Sequence, residues 1–232
     1  MPFERVWDET CPRIWDQWQA DGTRYTIQDL PPEDDEEAVK VLLENLATDE
    51  VLCKLQGLVD DPASMRGMAA LWRNSVALRM SLACYAERDG ARQLVAVNVC
   101  LVKEKGVEPQ YDFEGEKYKN VLDAVVHSEK KANPLEYLGL DKALAALGLT
   151  VVREYRGAKL GSRILSAREP LCRALGIGGT TTIFTGIAAQ KSAARSGFHS
   201  IYENPIKEYA DVGLDYPKDD ERVVKIMVKK YV

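Results

Sequence analysis

Histidine is nearly missing from this chain: His127 and His199 are the two in 232 residues. The cysteines are five, Cys11, Cys53, Cys84, Cys100 and Cys172, widely spaced and without a CxxC pair. A Cys/His metal centre needs clustered ligands at short spacing, so no metal is expected. An odd set of cysteines lying mostly in apolar stretches reads as reduced core thiols, and with them a cytoplasmic location. No stretch approaches the roughly 18 uninterrupted apolar residues of a membrane span. The chain starts with Glu4, Arg5 and Asp8 where a secretion signal needs an apolar run. A basic surplus is also lacking. The 31 Lys and Arg stand against 36 Asp and Glu, a formal charge of −5, which argues against nucleic acid as partner because phosphate neutralisation needs a basic surface. The GxxxxGK[ST] phosphate loop, the GxGxxG dinucleotide loop and the GxSxG nucleophile elbow do not occur.

What is present has the balance of a folded globule, 46% hydrophobic and 29% charged, and the length suits one domain over residues 1–232. Residues 24–28 are β-rich. Pro31-Pro32 and the acid run from Glu33 to Glu37 open a helix whose Ala38, Val41, Leu42 and Leu46 recur at helical spacing, and carboxylates suit its positive dipole end. A second helix is predicted over 64–80, with Met65, Met68, Leu71, Trp72, Val76 and Met80 as its core stripe. Strands over 82–87 and 93–102 flank Arg88-Asp89-Gly90, a turn that closes a hairpin. Residues 103–119 read as irregular, 118–132 as a helix stopped by Asn133-Pro134, and 135–147 as one more short helix. Then 148–153, 160–175 and 180–185 give strand, helix and strand, a parallel βαβ unit with right-handed crossover. A helix near 188–196 and strands over 200–209 and 222–231 close the chain. The fold class is mixed α/β (α+β): a central, mostly antiparallel sheet with one parallel crossover and helices on both faces.

Chemistry concentrates where the 148–153 strand meets its helix. Gly157 and Gly161 sit at the helix start beside Arg153, Arg156, Lys159 and Arg163. Unpaired N–H groups, the helix dipole and basic side chains together suit a pyrophosphate, while a solvated basic helix start explains the same residues equally well. Charge is segregated along the chain: residues 151–173 carry a net +4 and residues 28–50 a net −8. That pattern suits an anionic ligand at one place and a cationic one at the other. Asp49-Glu50 alone reads as a solvated turn or helix cap. Gly176-Ile177-Gly178-Gly179 reads as a helix C-cap and turn.

These residues resemble a family. Arg156-Gly157-Ala158-Lys159-Leu160-Gly161 is similar to the R-G-x-G-x-G/A acetyl-CoA loop of the GNAT N-acetyltransferases. Ser196-Gly197-Phe198 is similar to the x-G-F that closes the helix after the fifth strand, and Ile201-Tyr202-Glu203 fits the strand after it. Thr48-Asp49-Glu50-Val51-Leu52 resembles the "DEPL" element of insect arylalkylamine (dopamine-type) N-acetyltransferases. The resemblance implies direct acetyl transfer from acetyl-CoA to a small primary amine of the dopamine, tyramine or tryptamine class, with no metal and no covalent intermediate, by a monomer or weak homodimer. It implies that Val151, Val152 and Arg153 carry the strand pairing with the pantetheine arm, and that a main-chain N–H there polarises the thioester carbonyl. It assigns Arg156, Gly157, Ala158, Lys159, Leu160, Gly161 and Ser162 to the pyrophosphate, with Gln190 also on the coenzyme. Glu50 becomes the general base, and Thr185 the one hydroxyl kept in the stretch after the fifth strand.

The departures from the family pattern matter as much. Lys159 replaces the loop's usual second glycine, and a left-handed backbone there would cost about 1–2 kcal/mol. Ala193 stands where many GNAT enzymes place a tyrosine, so the departing thiolate lacks an obvious proton donor. Two alternatives follow: a polyamine or agmatine acetyltransferase, and a coenzyme-A-binding protein of little catalytic power. Cys172 lies within a helical run and reads as structural, His127 as a surface residue and His199 as structural. Trp7, Trp15 and Trp18 either pack the N-terminal segment or roof the amine site. Pro170 should kink its helix.

Overall fold

Alternation over residues 82–88 sets which side of the central sheet meets which helical layer. The structure, a computed structural model, describes residues 3–107 and 114–231. Its elements begin with β1 (Ile14–Ala20), β2 (Thr23–Asp29), α1 (Asp35–Asn45), α2 (Val51–Gln56), α3 (Pro62–Val76), β3 (Leu82–Arg88) and β4 (Ala91–Glu104). They continue with α4 (Glu116–Ala132), α5 (Pro134–Leu138), β5 (Lys142–Val151), α6 (Leu160–Ala174), β6 (Gly179–Phe184), α7 (Ile187–Arg195), β7 (His199–Pro205), α8 (Glu208–Asp211) and β8 (Val223–Lys230). The eight strands form one sheet in the order β1-β2-β3-β4-β5-β6-β8-β7. Its β5–β6 pair is parallel and the other neighbours are antiparallel. In β3, Leu82, Cys84 and Ala86 pack with Ile164, Ala167 and Leu171 of α6. Ala83 and Tyr85 point the other way, to Ala38 and Leu42 of α1 and Trp72 and Val76 of α3. Period-two alternation thus produces two buried faces with a helical layer on each.

The short helix expected over 135–147 is a single turn, α5, ended by Gly139 at φ 64. Residues 143–146 have helix-forming composition, yet they pair with β4 from Lys103 to Cys100. Tertiary pairing overrides local propensity here. The strand expected over 148–153 therefore starts earlier, at Lys142, and stops at Val151, because Arg153–Tyr155 forms a 3₁₀ turn. The last strand pair is also shorter than expected: β7 ends at Pro205 and α8 follows. Of the residues read as irregular, 103 and 104 belong to β4 and 116–119 to α4, while 108–113 lie outside the described residues. The first strand was not anticipated. Trp18 on β1 stacks on Tyr25 of β2 at 5.0 Å, Trp15 donates to Asp29 at 2.7 Å, and Arg5 and Arg79 lie over Trp7. The three tryptophans pack the N-terminal segment. Pro170 lies on the exposed side of α6, and the helix runs past it to Ala174. Among the described residues no helix is long and apolar enough to cross a membrane.

Two irregularities of β5 prepare the site. Val99 pairs with Gly148 and Cys100 with Ala146, so Leu147 is bulged out of the β4 ladder. On its other side β5 pairs with β6 only at Leu144–Thr180 and Ala145–Thr181, although β5 continues to Val151 and β6 to Phe184. Beyond Ala145 the two parallel strands diverge into a fork.

Candidate functional site

The fork leaves one edge of β5 unpaired, and the register tells which groups it offers. The Val152 N–H donates to the Val95 carbonyl on β4 at 2.9 Å. Alternate residues of a strand turn their backbone groups to opposite neighbours, so Val151 and Leu149 present theirs toward β6, where no strand meets them. Of the three residues expected to line the coenzyme arm, Val151 thus faces the fork. The Val152 N–H is committed to β4, and Arg153 has left the strand.

A cavity of about 160 Å³ opens at the fork, between Ala146 to Leu149 of β5, Thr182 to Phe184 of β6, and the helical layer of α2, α3 and α4. Its lining is apolar: Leu52, Met68, Leu71, Trp72, Val121 and Leu122 among others, with Glu50 as the carboxylate and Thr185 as a hydroxyl at one end. Trp72 donates from Nε1 to the carbonyl of the bulged Leu147 at 3.1 Å, tying the cavity wall to the fork. Gly148 is needed for close approach, since a Cβ there would lie 2.8 Å from Leu46 of the α1–α2 connection.

Glu50 is the N-cap of α2. Its Oε1 accepts from the Leu52 N–H at 3.0 Å and its Oε2 from the Cys53 N–H at 2.7 Å, an arrangement that satisfies two orphan donors of the first turn. The Thr185 hydroxyl donates to the same Oε1. The two residues expected to act on protons, 135 positions apart, are therefore in direct contact. Around them lie groups the sequence did not flag. Burial first, and then the Glu50 carboxylate, holds the Cys53 thiol well above its ordinary range. Burial pushes Tyr209 up to about 12 against the lowering hydrogen bond to Ser128. Burial and the Glu50 charge raise Tyr216, whose hydroxyl has no hydrogen-bond partner among the described residues. His127 is half-buried, edge-on to Tyr209 at 6.2 Å, and so is not the surface residue expected. Tyr209 lies in the single turn of α8, at the end of what the sequence suggested was a strand, and Tyr216 in the connection from α8 to β8, where no periodicity marks it.

The coenzyme loop runs from β5 into α6. Gly157 at φ 88 and Lys159 at φ 61 are both left-handed, so the lysine does stand in a glycine-type conformation. Leu160, Gly161 and Ser162 are the first turn of α6 and have no intrahelical acceptor for their N–H groups. Ala158 and Gly157 are exposed, and space around Gly157 is open. Gly161 faces α7, where a Cβ would stand in ordinary contact, 3.8 Å from Ser192 Oγ. The arginines are already paired. Arg156 donates to Val151 O at 2.9 Å and to Asp49 at 2.8 Å, Arg153 donates to Asp49 and Thr48 at 3.1 Å each, and Arg163 meets Asp16 at 2.9 Å beneath the Trp18 ring. Hydrogen bonds from Arg156 and then Arg153 hold the Asp49 carboxyl below its usual range, against partial burial. Lys159 makes no ion pair among the described residues.

Gln190 does not project into the fork. Its amide donates to Phe184 O at 3.0 Å and Val223 O at 2.7 Å, bracing α7 against β6 and β8. Ala193, at the position of the missing tyrosine, is fully buried with Phe184 and Phe198. Burial pushes Cys172 up to about 12 and Cys100 to about 11, which keeps both as thiols.

No protein-family model matches the chain, and no curated protein does. Solved structures do. The protein designated arylalkylamine N-acetyltransferase 7 of the yellow fever mosquito Aedes aegypti is 30% identical, covers all of both chains and superposes with a TM-score of 0.93. Arylalkylamine N-acetyltransferase 2 of Aedes aegypti is 18% identical over 90% of this chain and 99% of its own, at 0.73. The Drosophila melanogaster polyamine N-acetyltransferase that forms N-acetylagmatine is 16% identical over 89% and 99%, at 0.72. The last two share the fold.

Proposed function

Since the chain belongs to the insect-type arylalkylamine N-acetyltransferases, acyltransferases of the GNAT superfamily, we propose that it transfers an acetyl group from acetyl-CoA directly to a small amine bearing a single aromatic ring. The observation that carries this is the cavity: about 160 Å³, apolar, with Glu50 as the one carboxylate among its lining residues. An apolar cavity of about 150 Å³ is large enough to hold benzene. A phenylethylamine-type substrate would bury its ring there and bring its ammonium to Glu50. A polyamine or agmatine has a second cationic end, for which the lining offers no second carboxylate.

The residues present fit acetyl-CoA. The first turn of α6, preceded by two left-handed residues, turns three N–H groups outward for a pyrophosphate. Arg153, Arg156 and Lys159 add positive charge, and the unpaired edge at Leu149 and Val151 offers donors to the pantetheine arm. When bound, the coenzyme supplies the activated thioester. Glu50 takes one proton from the substrate ammonium, directly or through water. The freed nitrogen lone pair forms the N–C bond to the carbonyl carbon while main-chain N–H groups of β5 face the oxygen, where charge develops. The C–S bond then breaks with its electron pair on sulfur. Thr185, bonded to Glu50, hands its proton to that thiolate as it takes up the one Glu50 removed, and the second proton of the nitrogen leaves to solvent. The balance is ammonium plus thioester giving amide, thiol and one proton. Cys53, the thiol in the lining, stays protonated beside Glu50, in keeping with transfer without an acyl-enzyme. A cytoplasmic monomer or weak homodimer is the setting this reading carries.

The test is thiol release from acetyl-CoA with tyramine, dopamine, tryptamine, agmatine and spermidine. One-ring arylalkylamines should exceed agmatine and spermidine in kcat/KM by at least about tenfold, and Glu50→Gln should lower kcat by about 10²–10³ and leave a rate that rises with pH as free amine accumulates. Preference for a polyamine would refute the substrate reading. Acetyl-CoA binding without turnover of any amine would leave a coenzyme-binding protein.

A further inference from the structure

Arg168 is fully buried in the middle of α6, yet no carboxylate pairs with it among the described residues. Taking a guanidinium out of water without a counter-ion is unfavourable, and an apolar side chain would fill the same space at lower cost. What Arg168 does hold is specific. Its Nε donates to Asn98 Oδ1 on β4 at 2.8 Å, and Asn98 Nδ2 donates to the Gly148 carbonyl on β5 at 2.8 Å. Its Nη1 donates to Thr182 at 2.8 Å and Thr180 at 3.2 Å, both on β6, and the Thr180 hydroxyl donates to Leu144 O on β5 at 2.8 Å. These contacts bracket the point of divergence. Leu144–Thr180 and Ala145–Thr181 are the last paired residues, while Gly148 and Thr182 lie on the separated arms, in the cavity wall. Nη2 finds no acceptor among the described residues, and the guanidinium carbon lies 5.8 Å from the centre of the Phe198 ring.

We propose that Arg168 is a positioning residue that pins β5 and β6 apart at the start of the fork and so sets the width of the slot into which the acyl-pantetheine arm threads. This rests on the reading that the fork receives acetyl-CoA. The planar fork of an arginine reaches Asn98 and both threonines from one centre, whereas the single ammonium of a lysine cannot span them.

Calorimetric titration of two ligands separates this role from general stabilisation. The phosphoadenosine diphosphate half of coenzyme A reports the α6 loop alone, and acetyl-CoA reports loop and slot together. Arg168→Lys should weaken acetyl-CoA binding by about tenfold or more, from the loss of charged hydrogen bonds, and change binding of the nucleotide half by less than about twofold. Thr182→Val, nearly equal in shape, should act in the same direction and decides the matter if Arg168→Lys does not fold. Equal weakening of both ligands, or of neither, overturns the proposal. If the unaltered protein fails to bind acetyl-CoA at all, the functional reading fails and this inference falls with it. If the unaltered protein binds but the variants show no selectivity, this inference alone fails.

Discussion

Asp49 joins the coenzyme loop to the helix cap that carries Glu50, and its replacement by asparagine should have two opposite effects. Its carboxylate takes Arg156 through Oδ2 at 2.8 Å and Arg153 through Oδ1 at 3.1 Å; its side chain is 30% exposed and theirs 42% and 56%. Pairs as exposed as these contribute about 0.2–1 kcal/mol each. Losing both should therefore destabilise by about 0.5–1.5 kcal/mol, a fall in Tm of roughly 2–5 °C for a chain of this length. A diphosphate must compete with Asp49 for the same two guanidinium groups, so Asp49→Asn should tighten coenzyme A by about threefold to fivefold at low salt. The gain should fade near 1 M salt, where screening acts within about 3 Å. Turnover should move the other way: with its tether gone the α1–α2 connection holds Glu50 less firmly, and a fall in kcat of about threefold to tenfold is expected.

The pH dependence has a definite sign. The Asp49 carboxyl is held below its usual range, so its contribution is complete above the unfolded value near about 3.9 and is lost as pH falls through the lower folded value. Asp49→Asn and the unaltered protein should thus differ by a constant amount across neutral pH and converge in acid. Calorimetric coenzyme titration at two salt concentrations, beside thermal melts, measures all of this. Weaker coenzyme binding in the variant, or a difference that salt does not change, would refute the competition argument.

Lys159→Gly should relieve the left-handed lysine at φ 61 and stabilise by about 0.5–1 kcal/mol after the entropy of glycine is set against it; coenzyme titration should show weaker binding, since a cation at the loop is lost. Pro170→Ala restores an N–H to α6 on its exposed side, and melts should show a gain of about 1–2 kcal/mol. Alkylation of the native protein should modify Cys11 rapidly and leave Cys53, Cys84, Cys100 and Cys172, all buried, untouched until denaturant is added; mass spectrometry counts the sites.

The fold was legible wherever burial imposed a pattern. Residues 82–86 form a continuous buried apolar run because both faces of β3 are covered, and Met68, Trp72 and Val76 of the stripe lie on the buried side of α3, whereas the helix ends at Val76 and Met80 packs in the other layer. Legibility failed over residues 142–147, whose alanines and leucines suit a helix but are captured by β4. No local signal could have reported that, because the partner lies some forty residues earlier in the chain. It failed again at β1, an edge strand whose exposed and half-buried residues give no clean alternation.

The site shows the same division at the scale of two residues. Asp49 and Glu50 are chemically alike and adjacent, so composition treats them as one acidic patch against one basic loop. Their different positions at the start of α2 send them to different tasks. Glu50 adopts the extended backbone of an N-cap, folds its carboxylate back over the first turn of α2 and faces Thr185, while Asp49 turns outward to Arg153 and Arg156. The segregation of charge visible in the sequence is real, but the two halves touch. The acid at 49 is neutralised by the very arginines expected to meet the coenzyme, and the acid at 50 is left to the cavity. A single peptide bond separates a group that competes with the anionic ligand from a group that faces the cationic one. Binding at the loop and proton transfer at the cavity are therefore coupled through the backbone between them, which is why Asp49→Asn should shift coenzyme affinity and turnover in opposite directions.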